Sequence, residues 1–556
     1  MGSASGVHEI CDRYVEEFAA VDPVAASLFG IAGCEHRLTD YSPAGYQERA
    51  RIGKRALLAA SNAAPDGDGE RVARAAFTDR LGLEVETFEA GLAGGDVNVI
   101  ASPVQDIRMV FDLMATRSVE DWAVIAHRLA RVPDALAGVR ASLLESAARG
   151  QVSARRQVLA TARQARSWAG FDGGEGFFTA FVSGADVGAA LRADLSRVAG
   201  AADRAYGDFA AFLRTDLAPR APVTDAVGED IYRLRSRYHL GAEIDLAEAY
   251  AWGWEEFAGI EAQMAALAHR LCPGATPAQT AAVLDADPRY LVRGRAGFQE
   301  WMQQLSDQAL NMLRGTHFEI PDALMDLECR LAPPGGGLGA YYYGPSEDFA
   351  RPGRMWWSVP ADQDEFSTWR EVSTVYHEGV PGHHLQIATA VHASSTLNRW
   401  QRTMSFTSGH GKGWALYAER LMRELGYLEE GALYGMLADA LFRAARVIID
   451  IGMHLEYRIP SGTGFHEHEK WTPDLGLEFL LTRTVADSAW ARDEIDRYLG
   501  WPGQAPAYKI GERYWLTARE QARTRDGASF DLREFHTRAL RMGGMGLDTL
   551  CAQLAT

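Results

Sequence analysis

The residues of this sequence best suited to chemistry lie in two short runs. His377, Glu378, His383 and His384 stand in HEGVPGHH, and further on Lys412 and Glu419 open and close KGWALYAE. A histidine followed at once by a glutamate, with a second histidine close behind, is the arrangement by which metalloproteases hold zinc and polarise an attacking water. In its ordinary form, His-Glu-x-x-His, the two histidines stand one turn apart on one helix face. Here the next histidines come at i+6 and i+7, roughly 9 to 10.5 Å along a regular helix. An unbroken helix cannot bring both to one ion. Pro381-Gly382 offers a way out: proline removes a backbone donor, glycine admits unusual dihedrals, and the helix is expected to bulge and re-aim one histidine. His377 then ligates zinc with His383, the preferred partner, or with His384, and Glu378 activates water.

These runs resemble the hallmark of the bacterial family termed domain of unknown function 885, HExxPGHHxQ followed downstream by EGWALYAE. The first spans His377 to Gln386 and the second Lys412 to Glu419. The likeness extends to SEDFARPG at Ser346–Gly353, DIGMH at Asp450–His454, YKIG at Tyr508–Gly511 and Phe535-His536. The resemblance implies a helical, gluzincin-like metallopeptidase shell, similar to the thimet-oligopeptidase and thermostable-carboxypeptidase groups, with a deep channel admitting short peptides. The second run also resembles the NEGFAxYxE helix of aminopeptidases, whose first glutamate is the third zinc ligand. Aligned so, that position is Lys412.

Catalytic zinc takes three protein ligands and keeps one position open, so the two histidines alone are one ligand short. An ammonium about 4 Å from a divalent ion is repelled by about 8 kcal/mol at an effective dielectric near 20. Glu419, seven residues on, lies about 10 Å further along the same helix face and is expected behind the ligands rather than among them. Three readings of Lys412 follow. The ammonium fills the cation position, pairing with Glu378 or Glu419 and bonding to a histidine; or the amine is neutral and ligates or reacts; or it is an isolated lesion that Lys412→Glu repairs. Lysine is scarce here, with Lys54, Lys412, Lys470 and Lys509 among 56 basic residues, so its placement carries information.

Other residues are expected around the cleft. Tyr508 and His536 could donate to a developing oxyanion. Arg351 could hold a substrate carboxylate, or pair with Asp348. Asp450 and His454, one turn apart, could orient a ligand. His466 to Lys470 reads as a solvated loop.

Long segments such as Val119–Ala130, Val152–Trp168 and Trp369–Tyr376 have helical periodicity. Short aromatic and β-branched runs at Ala340–Tyr343 and Met355–Val359 predict a small β element beside the active site. The fold class is therefore mainly α, a large zincin-like fold with a deep central cleft. Pro333 to Gly337 marks a soft boundary between halves 1–330 and 331–556, or an interruption in one continuous domain.

With 556 residues, 47% hydrophobic and 23% charged, the chain can bury a large core. A formal charge of -18 without a basic run argues against a nucleic-acid binder. The five scattered cysteines show neither a disulfide nor a metal spacing. The first residues lack a basic stretch followed by an apolar run, and no segment is long and apolar enough to span a bilayer, so no membrane partner and a cytoplasmic location are expected. The activity expected is zinc-dependent hydrolysis of short peptides or small amides. The alternative is a metal-free descendant that binds a small peptide-like ligand or uses Lys412 for other chemistry.

Overall fold

A computed structural model describes residues 6–332, 339–360, 362–485 and 488–555. The expected break at Pro333–Gly337 lies outside the described residues. The chain divides into two compact units, each assembled from separate stretches. One comprises Met1–Ala64, Leu81–Leu234 and Asp493–Pro502; the other comprises Pro65–Arg80, Arg235–Arg492 and Gly503–Thr556.

The first unit is helical throughout its described residues. Its core gathers Val104, Phe111, Ile125, Leu136, Phe178 and Tyr206 from successive helices, including Val119–Leu129, Val132–Ala148 and Ala189–Phe212. Ser118 and Asp121 form a capping box at the start of Val119–Leu129, satisfying amides that the first turn leaves without partners.

The second unit carries both motifs. Helix Thr368–Glu378 holds His377 and Glu378, helix Ser408–Glu424 holds Lys412 and Glu419, and helix Glu430–Leu455 packs against Thr368–Glu378. Helix Ala507–Asp526 crosses Ser408–Glu424 at glycines. A Cβ added at Gly413 would stand 2.4 Å from the carbonyl carbon of Gly511, and one at Gly511 would stand 2.1 Å from the Gly409 oxygen. Only hydrogen at these positions lets the two backbones touch, and that contact brings Tyr508 beside Lys412.

Two small sheets lie among these helices. Strands β1 (Leu291–Arg293) and β5 (Glu365–Ser367) pair antiparallel. Strands β2 (Leu327–Leu331), β3 (Gly339–Tyr343) and β4 (Gly353–Ser358) form a sheet in the order β2-β4-β3, parallel then antiparallel. The antiparallel β3 and β4 are the aromatic runs legible in the sequence; β2, Leu-Glu-Cys-Arg-Leu, alternates with Leu327 and Cys329 buried but is short and lacks aromatic or β-branched residues. All five cysteines are free thiols. Among the described residues no helix is long and apolar enough to cross a membrane.

Candidate active site

The helix that starts at Thr368 ends at Glu378, and a new one starts at His383. This corrects the expectation of a bulge within a continuing helix: the Val380–Pro381 peptide is cis, and the chain turns through Gly379–Gly382. Gly382 donates its amide to the Tyr376 carbonyl, and a Cβ there would fall 1.9 Å from the His377 oxygen. The turn is fastened by the second motif, since the Trp414 indole N–H donates to the carbonyls of Pro381, 2.9 Å, and Gly382, 3.2 Å.

The turn points the two adjacent histidines in different directions. His383 faces back toward His377, their ring centroids 5.0 Å apart and their planes nearly perpendicular. Potential ligand atoms of His377, Glu378 and His383 all lie within 4.8 Å of one another, and all three residues are buried. His384 points elsewhere: Nδ1 meets the Tyr342 hydroxyl at 2.9 Å and Nε2 meets the Leu324 carbonyl at 2.8 Å. Both of its nitrogens are engaged, so geometry favours His383 over His384 beside His377.

His377 is braced from behind. Its Nδ1 lies 2.6 Å from Glu419 Oε1, while the Ser373 hydroxyl donates to Glu419 Oε2. Arg443 stands 3.7 Å from Glu419 and 3.3 Å from Asp439. Burial, with the nearby charges of Arg443 and Lys412, holds the His377 imidazole neutral, well below its usual range. A neutral ring whose Nδ1–H donates a hydrogen bond to a carboxylate leaves its lone pair on Nε2, the arrangement a metal ligand needs. Ser373 and Arg443 were not singled out from the sequence, although Ser373 sits one turn before His377 on the same helix face.

Lys412 is partly buried, and its Nζ lies 3.2 Å from His383 Nε2. An ammonium has donors only, so His383 accepts through Nε2 and carries its own proton on Nδ1. Burial and then the Lys412 charge hold the His383 imidazole neutral, well below its usual range. Among the described residues Lys412 bonds to no carboxylate: neither Glu378 nor Glu419 lies within ion-pair distance. Burial raises the Glu378 carboxyl above its ordinary range, against the pull of Lys412 and Arg443. Its Oε2 is buried without a hydrogen-bond partner.

These contacts test whether the site suits zinc. His377 and His383 suit it, and Glu419 orients the first as zinc-site carboxylates do. Lys412 does not, because its ammonium engages one of the two His383 ring nitrogens and adds a repelling charge in place of a third ligand. The residues present do not compose a complete zinc site.

The remaining expected residues are placed as follows. The Tyr508 ring lies 5.9 Å from the Lys412 ammonium and 4.8 Å from the Arg446 guanidinium, at the cluster's edge. His536 is fully buried, 2.7 Å from the Tyr417 hydroxyl and stacked on Phe318; burial pushes it down to about 3. It braces Trp414 and Tyr417 and lies outside the His377–Glu378–His383 group. Arg351 donates to the Gly344 and Pro352 carbonyls, closing its own loop, while Asp348 accepts from Ser346 and Ala350. Asp450 accepts the Gly503 amide at 2.9 Å, fixing the approach to the helix that bears Tyr508. His454 is buried one turn further along Glu430–Leu455. His466 to Lys470 is an exposed loop in which His466 meets Glu469 and Glu478.

Comparison with known proteins agrees with this fold. A crystal structure of a candidate lipoprotein from Colwellia psychrerythraea aligns with a TM-score of 0.83 at 20% identity, covering 99% of this chain and 98% of that one. A candidate lipoprotein of unknown function from Shewanella oneidensis aligns with a TM-score of 0.74 at 16% identity over the full length of both. No curated protein matches the chain. Residues 23–554 match the family described as bacterial protein of unknown function, DUF885, and the chain belongs to that family.

Proposed function

We propose that this protein binds a short peptide-like ligand in a cleft built as a zincin-type hydrolase shell, with the Lys412 ammonium as its cation instead of a divalent metal. The observation that carries this reading is the 3.2 Å contact of Lys412 Nζ with His383 Nε2, which sets a cation against the histidine that stands beside His377. Elemental analysis of protein purified without chelator or nickel resin tests it. Far less than one zinc per chain is expected in the unaltered protein, and close to one in Lys412→Glu; stoichiometric zinc in the unaltered protein would refute it.

A second reading has its own support. The His377–Glu419 pair, 2.6 Å apart, matches the carboxylate–histidine pairing that orients zinc ligands, and it supports zinc-dependent hydrolysis of short peptides or small amides. In that reading His377 and His383 hold the ion, Glu378 is the base, and Lys412 swings aside. Zinc-dependent peptide hydrolysis by the unaltered protein, lost in Glu378→Gln, would establish it.

The description of both structural neighbours as candidate lipoproteins weighs against the cytoplasmic location expected from the sequence. We propose an envelope location, which fractionation of the native host with antibody detection would test.

A further inference from the structure

The lysines of this chain form an internal comparison. Lys54 meets Glu89 at 2.7 Å, Lys470 meets Glu456 at 3.4 Å, and the buried Lys509 lies between Glu256 and Glu512. Lys412 alone among the four has no carboxylate partner among the described residues, although the buried Glu378 and His383 stand in its neighbourhood. Its one hydrogen bond goes to a neutral imidazole, which supplies no counter-charge. Two of its three N–H donors remain for something else.

A second orphan stands beside it. Glu378 Oε2 is buried and unpartnered, on a side chain only 5% exposed. Leaving such an atom without a donor is unfavourable. A partly buried cation without an anion, and a buried carboxyl oxygen without a donor whose group feels that cation's charge, describe a complementary ligand: an anionic group with an N–H nearby.

We propose that the cleft recognises the free carboxylate end of a short peptide, which takes Lys412 as its counter-ion while the peptide's last N–H reaches Glu378. The inference rests on the metal-free reading above and names its ligand. Arg351, the arginine expected from the sequence to hold such a carboxylate, is spent on the carbonyls of its own loop. The Tyr508 ring, shared between Lys412 and Arg446, forms an apolar flank against which the terminal side chain can lie.

The test is equilibrium binding by calorimetry of matched N-acetyl dipeptides ending in a free acid or an amide, on full-length protein of measured zinc content. The acid is expected to bind at least about tenfold more tightly, the ratio that a hydrogen bond to a charged partner supplies. Lys412→Met should abolish the preference and Lys412→Arg should keep it, with circular dichroism showing that both variants fold. Equal binding of acid and amide, failure of every acid to bind in the millimolar range, or a preference surviving in Lys412→Met would overturn the inference. Zinc in the unaltered protein counts against the metal-free reading, whereas a flat acid-to-amide ratio in zinc-free protein counts against this inference alone.

Discussion

Glu419 and His377 meet at 2.6 Å across two helices, and that pair orients His377 although Glu419 lies seven residues beyond Lys412 on its helix. In the Lys412→Glu background, where zinc is expected to bind, Glu419→Gln should weaken binding by roughly 10–100-fold. Competition with a chromogenic chelator measures this. An unchanged affinity would make Glu419 a packing residue.

Trp414 fastens the turn that re-aims His383. Trp414→Phe keeps most of the ring but removes the donor to Pro381 and Gly382; Gly382 keeps the Gln386 amide, while the buried Pro381 carbonyl loses its indole partner. A loss of about 1–3 kcal/mol is expected in urea denaturation, along with weaker zinc binding when combined with Lys412→Glu.

The glycine crossing offers a sharper test of packing. In Gly413→Ala the new methyl meets the Gly511 backbone, which has no flexible end to move. Destabilisation of about 1–3 kcal/mol or more is expected, with faster hydrogen exchange concentrated in Ser408–Glu424 and Ala507–Asp526. A neutral Gly413→Ala would show that the helices separate freely.

His384 predicts a pH dependence. Burial pushes it down from the usual 6.5 to about 4, so the unfolded chain takes its proton first. Its contribution to stability is present above about pH 6.5 and is lost as pH falls toward 4. The full contribution is on the order of 3 kcal/mol, for a side chain this buried. His384→Gln should be less stable than the unaltered protein at neutral pH, and its stability should change less between pH 7 and 4. Parallel curves would remove His384 as a source of acid sensitivity.

The sequence announced much of this site because its chemistry is local. The helix bearing His377 and Glu378, the aromatic strands β3 and β4, and the oddity of Lys412 were all legible from residue type and spacing. The choice between His383 and His384 was not, because it depends on Tyr342 and Leu324, which arrive from other parts of the fold to claim His384. Ser373 and Arg443 were missed for a related reason: each matters only through Glu419, and a serine or an arginine on a helix carries no sign of what it will face. His536 and Arg351 looked available for chemistry because polar side chains in a motif-rich region read as functional. Their partners, Tyr417 for one and two loop carbonyls for the other, make them braces.

The unit that holds the site is drawn from three stretches of chain, Pro65–Arg80, Arg235–Arg492 and Gly503–Thr556, and this sets an order of events during synthesis. His377, Glu378, His383 and Lys412 leave the ribosome well before Tyr508 and Gly511. Until that last stretch emerges, the Gly413 face has nothing to lie against and Lys412 has no aromatic flank. A fragment that stops before Gly503 would carry every residue of the two motifs and still lack the surface that closes around them.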